Sequence, residues 1–168
     1  MDVPGTKIGR FKLFGLWGTS SISLGREAEE DNENSYNQRG WGTDFGSDLA
    51  VGGLSHTYFI NENIRFKSSL SYQTTHVTTE IDSINFAERS TLPFFRSKEN
   101  EGKLSFTTQF RHKISSKDNY SIGIIADRFG INYIDSAYSY DHKKFITAAD
   151  IDGELYMLRS YAQWQHRF

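Results

Sequence analysis

The chain contains no cysteine, which removes disulfides, thiolate metal sites and cysteine nucleophiles together. Only two prolines interrupt its 168 residues. No segment approaches the run of about 18 apolar residues that a membrane-crossing helix needs. The opening MDVPGTKIGRF has neither the positive n-region nor the apolar h-region of a secretory signal. If the chain belongs to an envelope protein, its export signal is expected on an upstream part. The formal charge is −2, so no basic excess points to nucleic acid as a partner. G-x-S-x-G is missing, and Gly15 and Gly18 precede no helix that would hold a phosphate. Serine, histidine and aspartate are plentiful, but their spacing assembles no nucleophile with a base and an orienting group. The chain is not expected to be an enzyme, and no cofactor is expected.

What is present is an aromatic content of 15% in a chain with a mean hydropathy of −0.58. That combination suits a sheet whose strands keep half their side chains in water. The clearest stretch runs from Phe45 to Ile81. Its first arm, FGSDLAVGGLSHTYFI, meets a turn at Asn61-Glu62-Asn63 and returns as IRFKSSLSYQTTHVTTEI. In the returning arm Ile64, Phe66, Ser68, Leu70 and Tyr72 share one parity, and Arg65, Lys67, Ser69, Ser71 and Gln73 share the other. This period of two marks a strand with an apolar and a wet face. The Gly52-Gly53 pair predicts a bend or bulge.

Further strands follow the same rhythm. The first, within GRFKLFGLWGTSSISL, is apolar on both parities at its start, which leaves its outward face unassigned. Leu104, Phe106, Thr108, Phe110, His112 and Ile114 alternate with Lys103, Ser105, Thr107, Gln109, Arg111 and Lys113. Tyr120, Ile122 and Ile124 share a face of the fifth strand, and Tyr156, Leu158, Ala162, Trp164 and Phe168 a face of the sixth. Between these lie three polar stretches predicted as long loops: Gly25 to Thr43, Asp82 to Asn100, where Pro93 argues against a strand interior, and Ile134 to Asp152. Short turns alternate with them. Outer-membrane barrels show this asymmetry, with short periplasmic turns and longer extracellular loops. The predicted fold is all-β, an antiparallel up-and-down meander of about six long strands. Unpaired backbone is costly in hydrocarbon, so a spanning sheet closes on itself. The smallest single-chain barrels have about 8 strands, so residues 1–168 are expected to be one segment of a larger transmembrane β-barrel.

Several stretches resemble the barrel of TonB-dependent outer-membrane receptors of the Bacteroidetes type: GRFKLFGLWGTSSISL, IRFKSSLSYQTTHVTTEIDS, GIIADRFGINYIDS and SYAQWQHRF. They keep the order of consecutive barrel strands. The resemblance implies an internal portion of a barrel of about 22 strands in the outer membrane of a Gram-negative bacterium. It implies uptake of a scarce nutrient such as an iron chelate, cobalamin or a glycan, energised by an inner-membrane TonB complex through an N-terminal plug. The chain itself has no plug and no TonB-box-like segment, so it is expected to supply wall strands and outer loops. The expected partners are outer-membrane lipid, the remaining barrel and plug, the TonB complex and a small nutrient ligand. The alternative is a soluble β-sandwich or small barrel that binds a ligand such as a glycan through aromatic loops. A multichain barrel closed by several copies is a third arrangement.

No residue set predicts a metal site. The run Glu27, Glu29, Glu30, Asp31, Glu33 lacks EF-hand spacing and reads as a solvated loop. His56, His76, His112, His142 and His166 have no close pairing. Tyr58, Phe59, Tyr72, Tyr120, Tyr156 and Trp164 are expected to form aromatic girdles at membrane interfaces. The ligand-contacting candidates are the loop aromatics Tyr36, Trp41, Phe94, Phe95, Tyr138 and Tyr140, with Phe86 and Phe145 beside them. They would stack on a sugar or chelate, or pack the loops against each other.

Overall fold

The computed structural model describes residues 8–25, 39–85 and 90–167. Six strands are formed: β1 (Arg10–Leu24), β2 (Arg39–Phe59), β3 (Ile64–Asn85), β4 (Ser90–Lys113), β5 (Asp118–Ser139) and β6 (Lys144–His166). They make one antiparallel sheet in the order β1-β2-β3-β4-β5-β6, each strand paired with its sequence neighbours. Among the described residues the sheet does not close: β1 pairs only with β2 and β6 only with β5. A sandwich needs a second, facing sheet, and the described residues form none, which corrects the sandwich alternative. The predicted meander of six strands is what the chain forms.

The strands are longer than the alternation alone marked out. β4 has 24 residues and incorporates much of the stretch predicted as a loop from Asp82 to Asn100. β5 and β6 absorb most of Ile134 to Asp152, leaving residues 140–143 between them. β2 likewise begins at Arg39, inside the first predicted loop. Where it is described, the extra polar sequence at this end of the sheet is therefore largely strand rather than loop.

Two irregularities made that sequence look unlike strand. At Ile81/Asp82 the register with β4 shifts, because Ile81 pairs with Phe95 and Asp82 with Pro93, leaving Phe94 as the extra residue. Pro93 is tolerated because it sits at this bulge, where the ladder is already interrupted. Arg96 closes the gap: its guanidinium donates to the carbonyls of Ile81 (3.0 Å) and Phe95 (2.8 Å) and pairs with Asp82 (2.7 Å) and Glu80 (3.3 Å). A second shift, at Asp135/Ser136, leaves Ala148 unmatched on β6. By contrast, register runs unbroken through Gly52 and Gly53, so the predicted bulge there is absent. Gly53 has another role. A β-carbon on it would overlap Phe14 Cζ, because the Phe14 ring covers its cross-strand glycine. Tyr161 covers Gly123 in the same way.

The two short turns at the opposite end share one construction. Asn61 Oδ1 accepts from the N–H groups of Asn63 (2.9 Å) and Ile64 (2.8 Å). Ser115 Oγ accepts from Lys117 (3.1 Å) and Asp118 (3.0 Å), at the same two offsets. A short polar side chain that replaces a backbone acceptor is what makes Asn and Ser turn residues. The predicted Asn61-Glu62-Asn63 turn is thus present.

Candidate functional site

Residues opposite each other in an antiparallel ladder project to the same side of the sheet, so the register sorts every side chain onto one of two faces. The front carries Phe11, Leu13 and Trp17 of β1, which settles the orientation of that strand. From there one row reads Leu13, Leu54, Leu70, Phe106, Ala126, Leu158 across the six strands. Its large members are 44–76% exposed. Among the described residues only one hydrophobic side chain, Ile84, is buried. Full burial of a Leu or Phe is worth about 1.5–3 kcal/mol, so covering this single row is worth on the order of 5 kcal/mol, comparable to the low end of a domain's total stability of about 5–15 kcal/mol. The front face needs a cover that the sheet does not supply.

This apolar band has limits. Toward the short turns it ends in Tyr58, Phe66, Phe110, Tyr120 and Trp164. Tyr120 and Trp164 stack with ring centroids 6.1 Å apart, and Trp164 Nε1 donates to Asp118 Oδ1 at 3.2 Å beyond the band. At the other limit stand Trp17, Tyr72 and Tyr156, and the Tyr156 hydroxyl donates to Glu154 at 2.8 Å. Arg128, in the same row as Tyr156, reaches Glu154 one row further out, its aliphatic stem remaining in the band. Beyond comes a row with no apolar member: Thr19, Asp48, His76, Asn100, Asn132, Asp152. On β3 the band runs from Ile64 to Tyr72, opposite His112 to Leu104 on β4, nine residues on each.

Five of the six aromatics expected in girdles, Tyr58, Tyr72, Tyr120, Tyr156 and Trp164, share the front. Phe59 has the opposite parity and lies on the back, since Phe59 pairs with Arg65. Tyr72 and Tyr156 sit in mid-strand rather than near strand ends, because β3 and β6 continue well past them.

The back face behind the band is mostly polar, with Phe14, Ile125, Met157 and Tyr161 among its apolar and aromatic members. Asp127, whose side chain is fully buried, accepts from Ser105 Oγ, pairs with Arg159 and lies 3.6 Å from Lys103 Nζ. Gln109 donates to Ser121 Oγ at 3.0 Å and Arg111 to Asn119 Oδ1 at 2.9 Å. Toward the long-strand end the two faces exchange character. Val51, Leu49 and Phe45 of β2, Val77 and Ile81 of β3, Phe129 and Ile131 of β5, and Leu155 and Ile151 of β6 are on the back, opposite the polar front rows. This inversion was missed from the sequence, although its signal is there: within each of these strands the apolar residues change parity near the middle.

The aromatic ligand candidates are mostly strand residues. Trp41 lies on β2 and meets Phe94, the bulged residue of β4, edge to face at 4.7 Å. Phe95 follows it, paired with Ile81 and Ala137. Tyr138 of β5 packs edge to face on Tyr140 (5.3 Å) and Phe145 (5.2 Å), and Arg96 lies over the Phe145 ring at 5.2 Å. The Tyr140 hydroxyl donates to the Pro93 carbonyl at 3.0 Å. The structure therefore makes two clusters, Trp41–Phe94 and Tyr138–Tyr140–Phe145, both packing the long-strand end against itself. Tyr36, Phe86, Phe168 and the acidic run from Glu27 to Glu33 lie outside the described residues. Of the histidines, His56 stacks on Phe11 at 4.4 Å, His76 bonds Asn100, His142 bonds Ser139 and His166 bonds Asp118, while His112 meets the Phe110 ring at 6.5 Å. Among the described residues no three His, Asp or Glu side chains group to hold a metal.

Comparison of the chain with protein-family models, with curated proteins and with solved structures gives no match.

Proposed function

We propose that the chain is an arc of an outer-membrane β-barrel, the wall and outer strands of a TonB-dependent receptor that takes up a scarce nutrient such as an iron chelate, cobalamin or a glycan. The observation that carries the membrane part is the front band. It is nine residues tall on β3 and β4, within the roughly 9–11 residues with which a tilted strand crosses a bilayer. It is bounded by aromatic rows, and the Trp164 indole N–H and the Tyr156 hydroxyl point out of it, as interfacial aromatics do. Lipid covers the front, and the polar back, with its buried Asp127 network, faces a lumen. The rows beyond Tyr72 stand above the membrane, so the barrel wall rises as strand into the extracellular space. The open edges of β1 and β6 present unpaired backbone that further strands of the barrel complete. A plug inside that barrel links it to the TonB complex. The receptor assignment rests on the resemblance of the strand sequences, and the aromatic clusters of the long-strand end are the places where the nutrient first meets the wall.

The test uses the absence of native cysteine. Single cysteines at Leu70 and Phe106 in the chain reconstituted in vesicles should resist a water-soluble maleimide, while cysteines at Ser69, Thr107 and His76 should react. Equal labelling on both parities, or a chain that stays monodisperse in detergent-free buffer without affinity for bilayers, sinks the membrane reading.

A further inference from the structure

The net charge of −2 conceals a segregation of charge. At the short-turn rim, five cations line one concavity of about 360 Å³: Arg65, Arg111, Lys113, Lys117 and Arg167. Backbone bonds fix its frame. The Lys113 N–H donates to the Asn63 carbonyl at 2.8 Å, joining the two hairpins, and the Arg167 N–H donates to the Lys117 carbonyl at 2.9 Å. Arg65 and Arg111 are directly opposite each other in the β3–β4 register. Like charges in that relation repel and destabilise a sheet. Neither arginine has a carboxylate within ion-pair distance among the described residues, and Arg111 has only Asn119 as a side-chain acceptor. Two carboxylates share the concavity. Asp118 is engaged by His166 Nδ1 (2.8 Å), Ser115 Oγ (3.0 Å) and Trp164 Nε1 (3.2 Å), while Glu62 stands on the turn. Five cations against two anions leave the site electropositive, and one of those anions is already committed.

We propose that this rim cleft is a binding site for a soluble multivalent oxyanion, a phosphate- or carboxylate-bearing solute. Two guanidinium forks side by side match the paired oxygens of such a group, and Lys113, Lys117 and Arg167 add point charges around it. The solute relieves the Arg65–Arg111 repulsion that the ladder otherwise imposes. Phe59, Arg65, Arg111 and Lys113 have the back-face parity, opposite the apolar band, so the occupant is a solute rather than a lipid headgroup. The choice of a solute over a headgroup rests on the proposed lipid cover of the front; the cation cluster itself does not.

The test is a titration of the full chain in detergent micelles with inorganic pyrophosphate in one arm and citrate in the other, against a chloride background. Saturable binding of either is expected, identifying phosphate or carboxylate chemistry, with affinity at least tenfold weaker in R65Q/R111Q and unchanged in K144Q at the opposite end. Binding of neither probe, an undiminished affinity in R65Q/R111Q, or an equal loss in K144Q overturns the proposal. A melting curve gives an independent reading. In chloride alone R65Q should melt above the wild type, since repulsion is removed, and pyrophosphate or citrate should raise the wild type but not R65Q. A lower melting point for R65Q in chloride would show that the arginine pair is unstrained and sinks the idea. Maleimide labelling of the front reports on the membrane reading separately, so failure of one is distinguishable from failure of the other.

Discussion

The halves of this sheet on either side of the Tyr72–Tyr156 row use the same strands to opposite ends. Toward the short turns the front is apolar and the back is hydrogen-bonded and charged. Toward the long-strand end the front becomes Asp48, His76, Asn100, Asn132 and Asp152, while aliphatic and aromatic residues move to the back. No bulge causes the exchange. The register is continuous from Phe95 to Lys113 on β4 and across the same levels on β5, so the strands keep their pleat and only the choice of residue at each parity changes. A pleated strand fixes which side a residue takes, and solvent on that side selects its polarity. One face of a sheet can therefore meet two solvents along its length, which a soluble sheet with one core does not require.

The contrast between the halves is tested most severely by one charge placed in each. Leu70→Arg puts a cation in the middle of the front band and removes a large apolar side chain. On the proposed membrane reading it should cost about 4 kcal/mol, since a lipid-facing Arg near the midplane costs about 2–4 kcal/mol. His76→Arg, six residues along the same face, should cost less than about 1 kcal/mol. Urea titration of folding into vesicles measures both, and equal costs would mean that the front is one environment.

Next in size is the bulge that begins the outer end. Arg96→Ala leaves Asp82, whose side chain is 8% exposed, without the guanidinium 2.7 Å away, and frees the Ile81 carbonyl. Breaking a largely buried pair from one side costs about 3 kcal/mol. The loss should appear as fast amide exchange confined to residues 81–85 and 90–96, with the short-turn half unaffected. Global loss of protection would show instead that the two halves are one cooperative unit.

Gly53→Val tests the short-turn half from the back. The new side chain overlaps the Phe14 ring and comes within 2.9 Å of the Leu70 carbonyl, and overpacking of this kind costs about 1–3 kcal/mol. The companion Gly130→Val, in the outer half, has open space around its β-carbon and should change the urea midpoint little.

The smallest effect concerns pH at the short-turn rim. Hydrogen bonds from His166 and then Ser115 hold the Asp118 carboxyl below its ordinary value of 3.8. A depressed folded-state value means that the bonded carboxylate contributes its stability above about pH 3.8 and loses it as pH falls through the lower folded value. Amide exchange at Lys117 and Asp118 should quicken below that range. Asp118→Asn should abolish the pH dependence there while leaving exchange in the outer half untouched.

Much of the short-turn half was legible as a sequence because alternation is strict there. The parity of Ile64 to Tyr72, of Leu104 to Ile114 and of Tyr120 to Ile124 assigns one face without reference to neighbours. Asn61 and Ser115 signal their turns through their own side chains. The outer half was not legible. Pro93 and the extra residues Phe94 and Ala148 shift the period by one, and a polar strand with acids on both parities reads as loop. The candidate aromatics were named from residue type, yet their grouping was hidden, since Trp41 meets Phe94 and Tyr138 meets Phe145 only through the register.

That the chain is an antiparallel meander, where its short turns fall and which parity is apolar beside them all follow from sequence, because a period of two and turn chemistry are local properties. Cross-strand pairing was needed to learn how far the strands extend, that Phe59 leaves the girdle, that the faces exchange roles beyond Tyr72 and that Arg65 stands opposite Arg111. Those facts depend on which residue of one strand lies beside which residue of the next. Register is set by the whole ladder and its bulges, and no single strand contains it.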